Sequence, residues 1–173
     1  MAVFTASTSP EESLRERENQ RRVRELAVEC MVLLRNDHET LPLKETGKVA
    51  LFGNGAIHTV KGGTGSGDVY VRKTVNIYDG LTEEGFTISN ASWFKKQDRV
   101  VEEERREFLE KLRIACEEQG LDFSLMSQLK SFNATAIAEI TEEDVAESGT
   151  DTAVYVVSRN SGEGSDRNNA PGD

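Results

Sequence analysis

The chain has 173 residues, with 31 acidic side chains against 21 Lys and Arg, a formal charge of −10 at neutral pH and a pI near 4.8. That length suits one domain, and that charge excludes a nucleic-acid binder, whose phosphate contacts need a basic surface. No apolar run is long enough to span a bilayer, and Met1-Ala-Val-Phe-Thr-Ala-Ser7 lacks the basic start and apolar core of a secretion signal, so a cytoplasmic protein without membrane contact is expected.

Ser9-Pro10-Glu11-Glu12 reads as a helix start, with Ser9 as cap, Pro10 in the first turn and Glu12 closing a capping box. The helix is expected to run to about Arg35. Its first half is charged and polar, whereas Val23, Leu26, Ala27, Cys30, Met31 and Leu34 fall at helical spacing in its second half. Residues 1–26 are therefore expected to form a charged helical extension, with the folded domain over 27–173.

Lys48–Phe52 reads as a short buried strand, followed by Gly53-Asn-Gly55 and a glycine loop through Gly67; Val69–Val71 is a candidate second extended piece. A helix near Asn76–Glu84 should end at Gly85, and Phe86–Ile88 returns as a strand. A charged helix over about Gln97–Gln119 turns Val101, Phe108, Leu109, Leu112 and Ala115 inward and stops at Gly120. Leu121–Ile140 has no clean period and reads as an irregular crossover. Thr141-Glu-Glu-Asp144 starts another short helix, and Ala153–Ser158 is the last strand. Strand, helix, strand alternation predicts a parallel sheet with helices over its faces.

Cys30 and Cys116, each within a helical pattern, are expected as buried free thiols rather than a disulfide. His38 and His58 are the only histidines, and no Cys/His cluster offers zinc ligands, so no metal or other cofactor is expected. Neither histidine accompanies a Gly-x-Ser-x-Gly nucleophile element. Lys61-Gly-Gly-Thr-Gly-Ser-Gly-Asp68 looks like a phosphate cradle, but a P-loop needs Lys after its last glycine and Asp68 stands there. Gly53-Asn-Gly55 is only a fragment of a dinucleotide fingerprint. The bland reading of the glycine loop is a tight turn packed under the sheet.

Tyr155-Val-Val-Ser-Arg-Asn-Ser-Gly-Glu-Gly-Ser-Asp-Arg167 is the most informative stretch. A run of β-formers ends in a polar loop that lifts one carboxylate, Glu163, between two glycines. Such a group is either an exposed loop acid or a catalytic one delivered at a strand end.

Four stretches together resemble the C-terminal α/β-sandwich domain of glycoside hydrolase family 3. They are Ala27-Val-Glu-Cys-Met-Val-Leu-Leu-Arg-Asn-Asp37 with Leu41-Pro-Leu43, Gly47-Lys-Val-Ala-Leu-Phe-Gly53, Lys61-Gly-Gly-Thr-Gly-Ser-Gly-Asp-Val69, and Thr150–Arg159 running into Ser161-Gly-Glu-Gly164. The third and fourth are the specific ones. The resemblance implies a three-layer α/β sandwich with a mainly parallel sheet, incomplete at its C-terminus. It also implies a retaining β-glycosidase in which Glu163 is the general acid/base and a β-linked glycoside or oligosaccharide is the substrate.

A retaining enzyme needs two carboxyl groups about 5–5.5 Å apart. The resemblance assigns the nucleophile to an Asp on a TIM-barrel domain, a partner that these residues do not contain, so no nucleophile is assigned here and the chain alone is expected to be inactive. It is expected to be a fragment, or the beginning of a member with the sandwich ahead of the barrel. Glu163 lacks a local apolar shield, so its pKa must be tuned from the other domain. By the same resemblance Thr64, Ser66 and Asp68 are wall residues of the sugar site. Arg167 is a further candidate for sugar contact, with a loop-ordering ion pair to Asp166 or Asp173 as its other reading. Trp93 reads as a residue packed between strand and helix or as a sugar-stacking platform, and Tyr155 as packing. A non-catalytic module that binds carbohydrate or protein through the Glu163 loop is the rival from another class.

Overall fold

The computed structural model describes residues 9–62, 65–67, 69, 71–130, 132 and 134–161. The chain divides into two units, Met1–Lys44 and Glu45–Asp173.

In the first unit, helix α1 spans Leu14–Ala27, and its cap is Ser13 rather than Ser9. The Ser13 hydroxyl accepts from the Glu16 N–H at 3.2 Å, and the Glu16 carboxylate accepts from the Ser13 N–H at 2.7 Å. Two reciprocal bonds at this spacing outweigh the start at Ser9, whose hydroxyl accepts from the Glu11 N–H in a short turn. The helix also stops well before Arg35. Val28–Cys30 is a single tight turn, and Met31 is already extended. None of the described residues of this unit is buried, so the apolar stripe of Val23, Leu26, Met31 and Leu34 gains nothing from helix formation. A helix without packing is marginal, and β-branched Val28 and Val32 lower its propensity further. Cys30 is accordingly exposed, contrary to expectation, while Cys116 is a buried free thiol. Farther on, the Asn36 side-chain amide brackets both backbone groups of Leu41, which precedes a cis peptide bond to Pro42.

The second unit is an α/β arrangement around one central strand. Strand β1, Lys48–Phe52, pairs in parallel with β2, Thr87–Ile88, on one side and with β3, Ala153–Tyr155, on the other. Lys48 lies opposite Thr87, and Phe52 opposite Tyr155. Alternate residues of a strand face opposite sides of the sheet. Val49, Ala50, Leu51 and Phe52 are all buried, so both faces of β1 are covered, as a layered sandwich requires.

Helix α2, Ile77–Glu83, is capped by Asn76, whose side chain accepts from the Asp79 N–H at 2.7 Å, and ends before Gly85 at φ +93°. Val69–Val71 forms no strand among the described residues. Helix α3, Ala91–Gln119, begins two turns earlier than its charge pattern suggests and ends at left-handed Gly120. Those first two turns carry its main core contribution: Trp93 stands edge-on to Phe52 at 5.3 Å and to Phe94 at 5.4 Å. Val101, Phe108, Leu109, Leu112 and Ala115 are half-buried. Trp93 is fully buried, which rules out the sugar platform: no ring face is left for a ligand. Tyr155, by contrast, is 48 % exposed.

The stretch read as irregular contains helix α4, Phe123–Leu129, capped by Asp122 and packed on α3. Only Met126 and Ser127 of it are half-buried, and two turns are too short to set a period. Residues 134–140 have no regular structure, yet polar side chains of α3 hold them. The Gln97 amide donates to Ala136 O and accepts from the Ala138 N–H, and Trp93 Nε1 donates to Glu139 O. Helix α5, Glu142–Ser148, starts where expected, and Thr141 and Asp144 form a capping box at its head.

Candidate functional site

Because all three strands are parallel, their carboxyl ends share one edge of the sheet. The chain steps from β1 to β2 on one side and then to β3 on the other, so the strand order reverses at β1. Crevices at the carboxyl end of such a reversal are where open α/β sheets bind ligands.

The segments that leave β1 and β3 at this edge touch. Val156 N–H donates to Phe52 O at 2.9 Å, one residue beyond the strand. Gly53 then turns at φ +93°, and a Cβ placed on it would lie 2.3 Å from Val156 O. A Cβ on Gly55 would lie 2.7 Å from Ser158 Cβ and 2.9 Å from Val156 Cγ1. From Ala153 to Asn160 the exposure alternates residue by residue, with Val154, Val156, Ser158 and Asn160 half-buried. The extended course of β3 thus continues past its last ladder pair, one face laid over the Gly53–Gly55 turn. The strand itself stops at Tyr155 rather than Ser158, because β1 ends at Phe52 and offers no further ladder.

Polar side chains brace that turn from below. Asn54 Nδ2 donates to Ala134 O at 3.2 Å, and Gln97 Nε2 reaches Asn54 Oδ1 at 3.4 Å. The Thr59 hydroxyl donates to Gly55 O at 2.7 Å and accepts from the Ile77 N–H at 3.3 Å, tying the turn to the start of α2. Glu104 secures the far side, accepting from the Thr135 hydroxyl and from the N–H groups of Thr135 and Ala136. Partial burial pushes its carboxyl up, but those hydrogen bonds outweigh burial and hold its pKa below the usual range. Asp144 is buried and accepts from Lys96 Nζ at 2.6 Å. The Lys96 bond, then the Thr141 N–H and hydroxyl, lower its pKa to about 2. Glu104 and Asp144 both belong to the framework, not to the sheet edge.

Glu163, Arg167, Thr64 and Asp68 lie outside the described residues, so of the five candidate site residues only Ser66 has a described place. It is exposed, in the tight turn Gly65–Gly67. That loop closes on itself: the Gly67 carbonyl accepts from the Val69 N–H, and a Cβ on Gly62 would meet it at 2.7 Å. Among the described residues no three His, Cys, Asp or Glu side chains cluster to hold a metal, and no helix is long and apolar enough to cross a membrane. Among the described residues, what this edge shows is the meeting of two strand exits, from β1 and from β3. Sequence reading noticed Gly53-Asn-Gly55 as a fragment of a nucleotide fingerprint, and Gly53 also as the end of a stretch that resembles the family. Their use here, close backbone approach between two strand exits, has the same signal, a Gly-x-Gly directly after a buried strand.

Comparison with known proteins places this framework. The family description "Glycosyl hydrolase family 3 C-terminal domain" matches residues 31–172. Beta-glucosidase A of Butyrivibrio fibrisolvens is 38 % identical over 146 residues, covering 83 % of this chain and 15 % of that protein. The chain thus spans less than a sixth of that curated relative. No solved structure matches it significantly.

Proposed function

The chain belongs to glycoside hydrolase family 3, through the C-terminal domain of that family, and from this premise we propose that it supplies the acid/base carboxylate of a retaining β-glycosidase acting on β-glucosides. Glu163 is that carboxylate. The observation that carries the reading is the course of residues 153–161, which leave β3 at the carboxyl edge of the sheet beside Gly53 and Gly55 and run into Ser161-Gly-Glu163.

A barrel domain of the parent protein is the partner and contributes the nucleophile. In the first step that nucleophile attacks the anomeric carbon while Glu163 gives its proton to the departing glycosidic oxygen, leaving a glycosyl ester and an ionised Glu163. In the second, Glu163 takes a proton from water as the water oxygen displaces the ester carboxylate, which releases the sugar and restores both groups. Thr64, Ser66, Asp68 and Arg167 border the sugar. No metal or cofactor enters the chemistry.

The test is Glu163→Gln in the full-length enzyme. For aryl β-glucosides with a poor leaving group, kcat/KM should fall by about 10²–10⁴-fold, the usual span of a proton-transfer contribution. For a dinitrophenyl leaving group, stable without a proton, it should change little. Undiminished turnover of the poor substrates would remove Glu163 from the reaction. The isolated chain should show no turnover of either substrate, because one carboxylate cannot perform both displacements.

A further inference from the structure

We propose that Gly55 is a positioning residue for the acid/base: its missing side chain lets the strand exit that leads to Glu163 lie flat on the β1 turn. This rests on the reading of Glu163 given above. Three observations carry it. Gly55 is buried, and a Cβ there would stand 2.7 Å from Ser158 Cβ and 2.9 Å from Val156 Cγ1, both below real contact distances. The half-buried side chains of Val156, Ser158 and Asn160 make that face of the exit segment the one that rests on the turn. The turn cannot retreat, because Gly55 O is held by the Thr59 hydroxyl, and Asn54 by Ala134 O and Gln97. A methyl at position 55 therefore pushes outward residues 156–158, from which the sequence continues into Glu163.

Gly53 has the same closeness, 2.3 Å from Val156 O, but also φ +93°, so any substitution there adds backbone strain and confuses folding with position. Gly55 has no such φ, which makes Gly55→Ala the cleaner probe.

The experiment measures kcat/KM of the full-length enzyme for a series of aryl β-glucosides whose leaving groups span a wide pKa range. A displacement of about 1 Å from reacting geometry can cost up to 10²-fold. Gly55→Ala should accordingly lose about 10–100-fold on the poorest leaving groups and less than about 3-fold on dinitrophenyl, steepening the leaving-group dependence as Glu163→Gln does, but less. Adding Ser158→Gly, which removes the nearer obstructing atom, should recover part of the loss, a coupling that independent sites lack. If Gly55→Ala does not accumulate folded, Ser158→Val presses on the same contact from the opposite, half-buried side and should steepen the dependence likewise.

A lowered melting temperature with an unchanged leaving-group slope in these variants would overturn the proposal and leave Gly55 as packing alone. That result differs from failure of the acid/base reading, in which Glu163→Gln itself would leave the slope unchanged.

Discussion

Met31-Val-Leu-Leu34 and Val49-Ala-Leu-Phe52 are apolar runs of equal length with opposite fates. The first is 63–91 % exposed and the second 0–4 %. Hydrophobicity alone does not separate them. What separates them is the provision made for the backbone, because burying a strand also buries its N–H and C=O groups. Residues 31–34 join no strand among the described residues, whereas β1 is bonded on both sides. On the β3 side Thr152 O accepts from the Ala50 N–H and the Thr150 hydroxyl donates to Lys48 O. On the other side β2 is only two residues long, and side chains finish the pairing. The Ser89 N–H and hydroxyl both donate to Val49 O, and the buried Asn90 amide takes over at Leu51, donating to its carbonyl at 2.8 Å and accepting from its N–H at 2.9 Å.

The sharpest way to break this contrast is Asn90→Ala. It leaves two buried backbone groups of Leu51 without partners, and each such group costs about 1–3 kcal/mol. A loss of about 2–4 kcal/mol in urea unfolding is expected. A loss under about 0.5 kcal/mol would mean that burial of β1 does not depend on this bracket.

A smaller effect should appear in acid. Asp144 has a native pKa of about 2, below the free value of about 3.9, so its ion pair with Lys96 and its bonds to Thr141 stabilise the fold fully above about pH 4. That contribution fades as pH falls from about 4 to about 2, where the native carboxylate too becomes protonated. Glu104, also held below its ordinary range, adds a loss of the same sign. Urea midpoints of wild type and Asp144→Asn should therefore converge on acidification from pH 5 to pH 2. A gap that stays constant across that range would show that Asp144 acts through packing, not charge.

The same contrast explains how much was legible beforehand. Several local signals held where the responsible residues are neighbours: Asn76 with Gly85, Gly120, and Thr141 with Asp144 end or begin helices as read, although the equally local start at Ser9 gave way to the stronger box of Ser13 with Glu16. The run Lys48–Phe52 stood out because a strand covered on both faces is continuously apolar. Asn90, Gln97 and Glu104 were silent, since a polar residue beside a helical pattern looks solvated until its distant partner is known. The helix expected through Arg35 failed for a related reason: spacing offers a stripe, but only a partner surface turns it into a core. Glu163 stands in the sequence as a word in a motif but lies outside the described residues, whereas the contact of Gly53 and Gly55 with the exit of β3 needed the sheet to bring residues 53–55 and 156–158 together.

Leu34→Ala tests the exposed half of the comparison and should have the smallest effect. At 91 % exposure the side chain has little transfer free energy to lose, and substitutions at such positions usually stay within about 0.5 kcal/mol. A buried Leu truncated in the same way typically costs about 2–5 kcal/mol. Urea unfolding of this chain with Leu34→Ala should therefore superimpose on wild type. A loss above about 1 kcal/mol would mean that the run from Met31 to Leu34 is covered in solution, and its difference from β1 would then be one of partner rather than of burial.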